Sequence, residues 1–541
     1  MILDNSKKPS TAQELPDGSD DNHEKTLIDQ VKQGLETRLD NLKHAFSDND
    51  LLAPQTLKNV VTNLTANLGD KVVGLENVKN VALNALEGMQ LEEIQAIVLR
   101  DRPTPYYGTV VAIKVHGASV GRTLLKNVIP FVSNSRDWEK QMSANLTVVM
   151  TYQGLKALGL PQTSLDSFPE SFQQGMAARA KQLRDAGENA PEHWLSPFGT
   201  GDIHVCAAII ADSQENWQTK LTELKTLLAP SLNHDNPSQG AIEILIEKDF
   251  GADEAVKNVF GFRDGISNPK VAGSGSLSHN DPELPIASGE FVLGYKGESG
   301  VIPPMPQPEA LGRNGSYMVL RKYQSHVAAF NDYCLQHSET PEAAEQLAAK
   351  MFGRWRSGAP LSLTPEADNP ELGADDSRNN QFDYSNDKIG KGCPLGSHAR
   401  RMNPRKSTDF ILADVRLHRI IRKSVTFGNI VPPHITTDDG KERGQFFMGI
   451  NAHAMDTLEF LQSQWINDGN FMSLGEERDP IVGVHQANHD NEADTFTVPS
   501  DPLRQRNTGI LQFNTVQGGE YLFIPSISAL KWMSELPHRP S

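Results

Sequence analysis

Apolar positions along the chain change their period near residue 90. Before it, Leu27, Ile28, Val31, Leu35, Leu39, Leu42 and Phe46 recur at spacings of three and four, and Leu57, Val60, Val61, Leu64 and Leu68 repeat the pattern up to Gly69. That period puts one apolar stripe on each of two helices, and a third run follows at about 75–89. Residues 1–24 are polar and turn-rich, which predicts a disordered tail. After residue 90, short β-rich runs alternate with helical ones. The first half offers strands at Thr109–Val115, Leu146–Tyr152, Ile203–Ala211 and Ile242–Ile246, and helices at Val120–Ile129 and Asn216–Leu228. An insertion with its own helix, Phe168–Ala186, precedes the third strand. The second half offers strands at Tyr317–Lys322, Asp409–Ser424, Gln445–Ile450 and Tyr521–Pro525, and helices at His326–His337, Ala343–Phe352 and Asp456–Trp465. Four strands with interleaved helices, twice, predict an α+β protein that uses a split β-α-β unit in each half.

The join falls in the Gly/Pro-rich stretch 297–313. The predicted division is 1–89 as tail and helical extension, 90–305 as first domain and 306–541 as second. Long loops rich in Asp, Asn, Ser and Gly, at 269–286 and 363–392, either wrap a ligand site or move.

Composition narrows the function. Lys+Arg 51 against Asp+Glu 68 gives a formal charge of −17 over 541 residues, a poor match for nucleic acid or an anionic membrane. The three cysteines, Cys206, Cys334 and Cys393, have no CxxC spacing, which argues against a disulfide framework and a Cys-rich metal site. No stretch approaches the roughly 20 apolar residues of a membrane span. Met1–Pro16 lacks the apolar core of a secretory signal. A cytoplasmic protein is expected. No P-loop, GxGxxG after a strand, HExxH or GxSxG occurs.

Four segments hold candidate chemistry. In VFGFRDGISNP (259–269), Gly261 and Gly265 bracket Asp264, so an acid on a rigid turn can project into a cavity. An Asp that caps the turn or pairs with Arg263 is the alternative. In CPLGSHARRMNPR (393–405), His398 stands among Arg400, Arg401 and Arg405. A metal-binding imidazole beside carboxylate-gripping guanidiniums describes a haem, with iron on the ring nitrogen and a propionate on an arginine. Surface ion pairs are the alternative. In LHRIIRKSVTFG (417–428), alternation puts Arg419 and Arg422 on opposite faces, so a regular strand can aim only one of them at a pocket. In RGQFFMGINA (443–452), Phe446, Phe447, Met448 and Ile450 suit a cavity wall or a core. His485 and His489 have zinc spacing but stand in a loop context, HQANHDNEAD.

At these residues the chain resembles the dye-decolourising peroxidases. The resemblance rests on the bracketed aspartate Gly261-Phe262-Arg263-Asp264-Gly265 and on CPLGSHARRMNPR about 130 residues later. LEEIQAIVL, FPESFQQGMAARA, APEHW, GDIHV, RNGSYMVLRK, GRWRSGAPL, FFMGINA and GGEYLFIPSISAL extend it over about residues 90–541. It implies two ferredoxin-like domains of the dimeric α+β barrel group. It also implies one haem b per chain, hydrogen peroxide and an aromatic donor such as a dye or phenol as reactants, high-valent iron in turnover, and room for a homo-oligomer. By position, His398 becomes the proximal iron ligand, Asp264 and Arg422 the distal pair, Arg405 a propionate arginine, and Phe447 and Gly265 cofactor contacts. Asp479, in DPIVG, is the acid behind the histidine. Gln445 stands where a leucine is commoner, and Ser424 where some subgroups have asparagine. Trp355, Trp465 and Tyr521 are candidate electron relays. A carboxylate base titrating near pH 4–5 predicts an acidic optimum. A protein that binds or delivers haem without turnover is the alternative, although binding alone has no need of Asp264 and Arg422.

Overall fold

The computed structural model describes residues 88–537 apart from 137–142, 233–240, 254, 275–281, 408–414, 486–493 and 501. The predicted tail and helices before residue 88 lie outside the described residues.

In the first half β1 (Tyr106–Val115), β2 (Ala144–Met150), β3 (Val205–Ala211) and β4 (Ile242–Ala252) pair in the order β4-β1-β3-β2, all antiparallel. All seven residues of β3, VCAAIIA, are buried, as a strand with both faces covered requires. Helices Ala118–Val128 and Gln214–Leu228 connect the strands, and Ser213 Oγ caps the second by accepting from the Asn216 amide at 3.3 Å.

The second half repeats this order. Its strands are β5 (Ser316–Ser325), β6 (Ile421–Arg422), β7 (Val425–Phe427), β8 (Gly444–Asn451) and β11 (Asn514–Ile524), arranged β11-β5-β8-β6 with β7 also on β8. A hairpin of β9 (Thr495–Val498) and β10 (Gln505–Thr508) stands apart. Met150 of β2 pairs with Phe523 of β11, so both halves share one nine-stranded sheet. At the far ends Lys248 of β4 lies 5.2 Å over the Phe427 ring of β7 and reaches Glu442 at 2.5 Å. The α+β, twice-repeated split β-α-β reading therefore holds. One apolar core runs through both halves, from Met89 to Met533.

Two predicted elements differ. Phe168–Ala186 is not one helix but short turns, Glu170–Gln174, Ala177–Arg179 and Ala180–Leu183. Gly175 at φ +78° breaks the first, which lets Phe168 stack edge-on against Phe523 at 5.2 Å and Phe172 pack on Tyr317 at 5.4 Å. Of the strand predicted over 409–424, residues 409–414 lie outside the described residues, and the rest is not one strand. Val415–His418 is a 3₁₀ turn, pinned where Arg416 holds Glu298 at 3.0 Å, and only Ile421–Arg422 pairs before Val425. Among the described residues no helix is long and apolar enough to cross a membrane.

Candidate active site

A large cavity, lined by residues within 258–267 and by second-half residues, encloses about 1680 Å³ of unfilled space, part of it open to solvent. One wall follows from strand parity. Arg422 and Ser424 face the same way, because β6 and β7 keep one register against β8: Arg422↔Gly449, then Thr426↔Gln445. Gln445 and Phe447 of β8 and Tyr323 and Ser325 of β5 share that face, and all of these residues line the cavity. Their neighbours Lys423, Phe446 and Met448 point into the core.

Asp264 enters from a turn that Asn258 organises, its Oδ1 accepting from the Phe260 and Phe262 amides, both at 3.1 Å. Gly265 sits at φ +81°, a conformation that favours glycine, and a Cβ there would lie 2.8 Å from Arg102 Nη2, so a side chain would push that guanidinium aside. Arg263 turns away to Asp376 at 2.8 Å, which removes the pairing of Asp264 with its sequence neighbour. Two other guanidiniums face the carboxylate: Arg102 Nη2 at 3.4 Å from Oδ2 and Arg422 Nη1 at 3.6 Å from Oδ1. Burial alone would raise this carboxyl, but Arg102, Arg422 and the Gly265 amide outweigh it and hold it below the ordinary value.

His398 opens the short helix His398–Met402. That helix nests against the end of Pro341–Phe352, where Gly353 at φ +91° leaves no Cβ to collide with Ala399, 2.9 Å away. His398 Nδ1 lies 2.8 Å from Asp479 Oδ2. Asp479 is fully buried, and its Oδ1 accepts from the Ile481 and Val482 amides at 2.9 and 3.0 Å. Burial would raise this carboxyl too, but His398, Arg401 and the Val482 amide hold it low. An ionised acceptor on Nδ1 keeps the proton there and leaves Nε2 for the cavity that His398 lines. His485 is committed to the Asp479 carbonyl at 2.7 Å, and His489 lies outside the described residues. Among the described residues no group of three or more His, Cys, Asp or Glu is placed to hold a metal.

The three arginines of the histidine segment do not act alike. Arg400 and Arg401 are fully buried, not poised for an anion. Arg400 donates to the Cys393 carbonyl at 2.7 Å and the Asp387 carbonyl at 2.8 Å, and Arg401 to the Trp465 carbonyl at 2.7 Å and to the Glu477 carbonyl. They build the scaffold under His398. Arg405 does line the cavity, stacked 4.2 Å over Phe382 and tied to the Asp264 turn through Ser267 Oγ at 3.1 Å. Arg354 stands with it and has no carboxylate partner among the described residues. Burial, with Arg405 adding to it, pushes its guanidinium down to about 9.

Arg419 and Arg422 both line the cavity, contrary to the strand-parity expectation, because the chain turns at 415–418 before the strand begins. Arg419 reaches Glu283 at 2.5 Å. Trp355, Trp465 and Tyr521 are all buried, Tyr521 with its hydroxyl on Glu459 at 3.0 Å.

The lining can be tested against haem. Asn403 has both side-chain polar atoms buried without a partner on the cavity wall. Arg354, on the same wall, donates to the Gly358 and Asn379 carbonyls at 2.9 and 2.6 Å and to Asn380 Oδ1 at 3.0 Å, but no carboxylate among the described residues balances its charge. Phe262, Phe352, Leu461 and Ile466 supply apolar faces, and His398 a ring nitrogen. An apolar macrocycle with anionic arms and a central metal answers each of these groups, so the residues fit.

Architecture and cavity together define a fused pair of ferredoxin-like units with a carboxylate-backed histidine in its second half. A model of the DyP dimeric alpha+beta barrel domain matches residues 123–242, and one of the Dyp-type peroxidase C-terminal region matches 298–476. The chain is 29% identical to the dye-decolorizing peroxidase msp1 of Mycetinis scorodonius over 471 residues, 82% of this chain and 87% of that one. Solved structures of similar fold include an ancestral D-type dye-decolorizing peroxidase, with TM-score 0.69 and 29% identity over 82% of this chain and 99% of that one. Another is a dye-decolorizing peroxidase in complex with 2,6-dimethoxyphenol, with TM-score 0.68 and 27% identity over 82% and 100%. The chain belongs to the dye-decolourising peroxidase family and is a haem-dependent peroxidase. The haem-delivery alternative is not favoured.

Sequence reasoning missed Arg102, Arg354 and Asn403. Asn403 lay inside the quoted motif, but nothing in sequence marks a side chain whose partners are missing. Arg102 meets Asp264 across 162 positions and carries no local signal.

Proposed function

We propose that the cavity holds one haem b per chain and that the protein uses hydrogen peroxide to oxidise aromatic donors such as dyes and phenols. The observation that carries this is the sharing of one cavity by the His398–Asp479 pair, 2.8 Å apart, and by Asp264 with Arg422 at 3.6 Å. Bound haem supplies an iron centre that accepts peroxide and takes electrons from the donor one at a time. His398 Nε2 would hold the iron, and Asp479, on Nδ1 at 2.8 Å, fixes the tautomer and would strengthen that donation. Asp264 takes a proton from hydrogen peroxide and returns it to the oxygen that leaves as water. Arg422 supplies fixed positive charge where negative charge gathers on that oxygen. Arg405 and Arg354 would supply positive charge to the carboxylate arms of the haem, and Phe447 and Gly265, on the same cavity wall, would be contacts of the group. Gln445 and Ser424 make the wall beside Asp264 polar.

In this reading the partners are peroxide and an aromatic donor, neither nucleic acid nor membrane; the charge of −17 supports that. The setting is the cytoplasm, with the chain able to form a homo-oligomer. The domain division at 305/306 falls between β4 and β5. A steady-state assay of the haem-loaded protein with peroxide and an anthraquinone dye tests the proposal. Peroxide-dependent bleaching is expected; haem binding without turnover contradicts it.

A further inference from the structure

Asp264 is held by two guanidiniums of different standing. Arg422 lines the cavity, its side chain 35% exposed. Arg102 lies behind the carboxylate, 9% exposed, and does not line the cavity. It comes from the first half, in the short segment before β1. One end of its fork, Nη2, lies 3.4 Å from Asp264 Oδ2, and the other end, Nη1, donates to the Ser424 carbonyl. Its guanidinium lies 4.8 Å over the Tyr106 ring. The same segment is bonded to the Arg422 strand at two further points. Lys423 Nζ donates to the Arg100 carbonyl, and the Thr426 amide donates to the Tyr106 hydroxyl at 3.1 Å. One planar fork therefore bridges the turn that carries the acid and the strand that carries its partner.

We propose that Arg102 is a positioning residue of the peroxidase reaction, fixing the Asp264 carboxylate against the Arg422 strand from outside the cavity. The inference rests on the reading of Asp264 as the proton shuttle. A buried carboxylate needs a counter-charge. Were Arg422 its only one, that guanidinium would be spent on the resting acid. With Arg102 behind, the acid and its two cations carry a net positive charge, and Arg422 can turn to the departing oxygen. The other charged groups nearby face elsewhere: Arg263 to Asp376 at 2.8 Å, and Lys423 to the Arg100 carbonyl and to Asp101 at 3.3 Å. The lowered carboxyl of Asp264 agrees with this geometry, Arg102 being the larger of its two lowering charges.

The test uses Arg102→Leu and Arg102→Lys in the full chain, each with and without Asp264→Asn. In the haem-loaded protein, the acid limb of the peroxide reaction should move up by about one pH unit or more in Arg102→Leu. Arg102→Lys should return most of it, and the KM for the aromatic donor should not change. In thermal unfolding of the purified chain near pH 6, the loss caused by Arg102→Leu should largely vanish in the Asp264→Asn background. An unmoved acid limb, together with an equal loss of stability in both backgrounds, overturns the proposal and leaves Arg102 a purely structural link. If Arg102→Leu does not fold, the Arg102→Lys comparison decides by the same two readouts. If Asp264→Asn leaves the peroxide rate intact, the shuttle reading fails, and with it a role for Arg102 in turnover. The unfolding cycle then still reports whether the pair exists.

Discussion

The two halves of the sheet share one strand order and differ in what lies between the strands. In the first, residues 116–143 join β1 to β2, and the strands pack on the apolar core. In the second, residues 326–420 occupy the same topological place between β5 and β6, and they carry Arg354, His398, Asn403 and Arg405. The strand faces differ to match. β3 buries apolar residues on both sides, whereas its counterpart β8 sends Phe446 and Met448 to the core and Gln445 and Phe447 to the cavity. The frame is thus duplicated and the chemistry is not. A long excursion on one copy lines a large part of the pocket, while the other copy supplies Asp264 on the turn that follows β4 and, behind it, Arg102 from the segment before β1.

Substitutions can break this asymmetry. The largest effect is expected at His398: His398→Ala should lose bound haem, read as the loss of the Soret band, and with it all turnover. An unchanged spectrum contradicts the ligand assignment. Next is Asp264→Asn, which should slow the stopped-flow reaction with peroxide by about 10²- to 10⁴-fold, the usual share of a proton-transfer group. Arg422→Leu should slow the same step by more than about tenfold, ~1.4 kcal/mol. An unaltered rate would mean that Arg422 does no work there. The first half supplies the opposite case. Ile209 is fully buried at the centre of β3, so Ile209→Ala should cost about 2–5 kcal/mol in denaturant unfolding. Its peroxide rate per bound haem should stay as it was, and a large change in that rate would break the division of labour.

The pH dependence sharpens the same contrast. A carboxyl held below its ordinary value stays ionised as pH falls, so its stabilising charge is present above the unfolded value and lost only as pH drops through the folded one. The peroxide reaction should therefore keep its rate down to about pH 4, with the acid limb lower than an unperturbed aspartate would give. A profile peaking above about pH 8 contradicts this.

Strand parity and period located most of the frame from sequence, because alternation records which face is buried. It failed at 415–424 and at 168–186, where Arg416 bonded to Glu298 and a glycine at positive φ override local preference. The site was legible where motifs are short: the bracketed Asp264, and His398 in its Cys393–Arg405 segment. Asp479, 81 positions from His398, came from family resemblance alone. The cluster Arg400, Arg401 and Arg405 misled, since a row of cations reads as an anion site, yet all three donate to backbone carbonyls and only Arg405 also lines the cavity. Arg102 was invisible because Asp264, 162 positions away, is brought to it only by the tertiary fold.

The most direct test is a titration of the full chain with hemin, followed by one equivalent of hydrogen peroxide, watched in the visible spectrum. Saturation at one haem per chain, a histidine-ligated ferric spectrum, and a peroxide-induced shift that a phenol reverses are the predicted results. Failure to saturate, or a spectrum that peroxide leaves unmoved, would contradict the account.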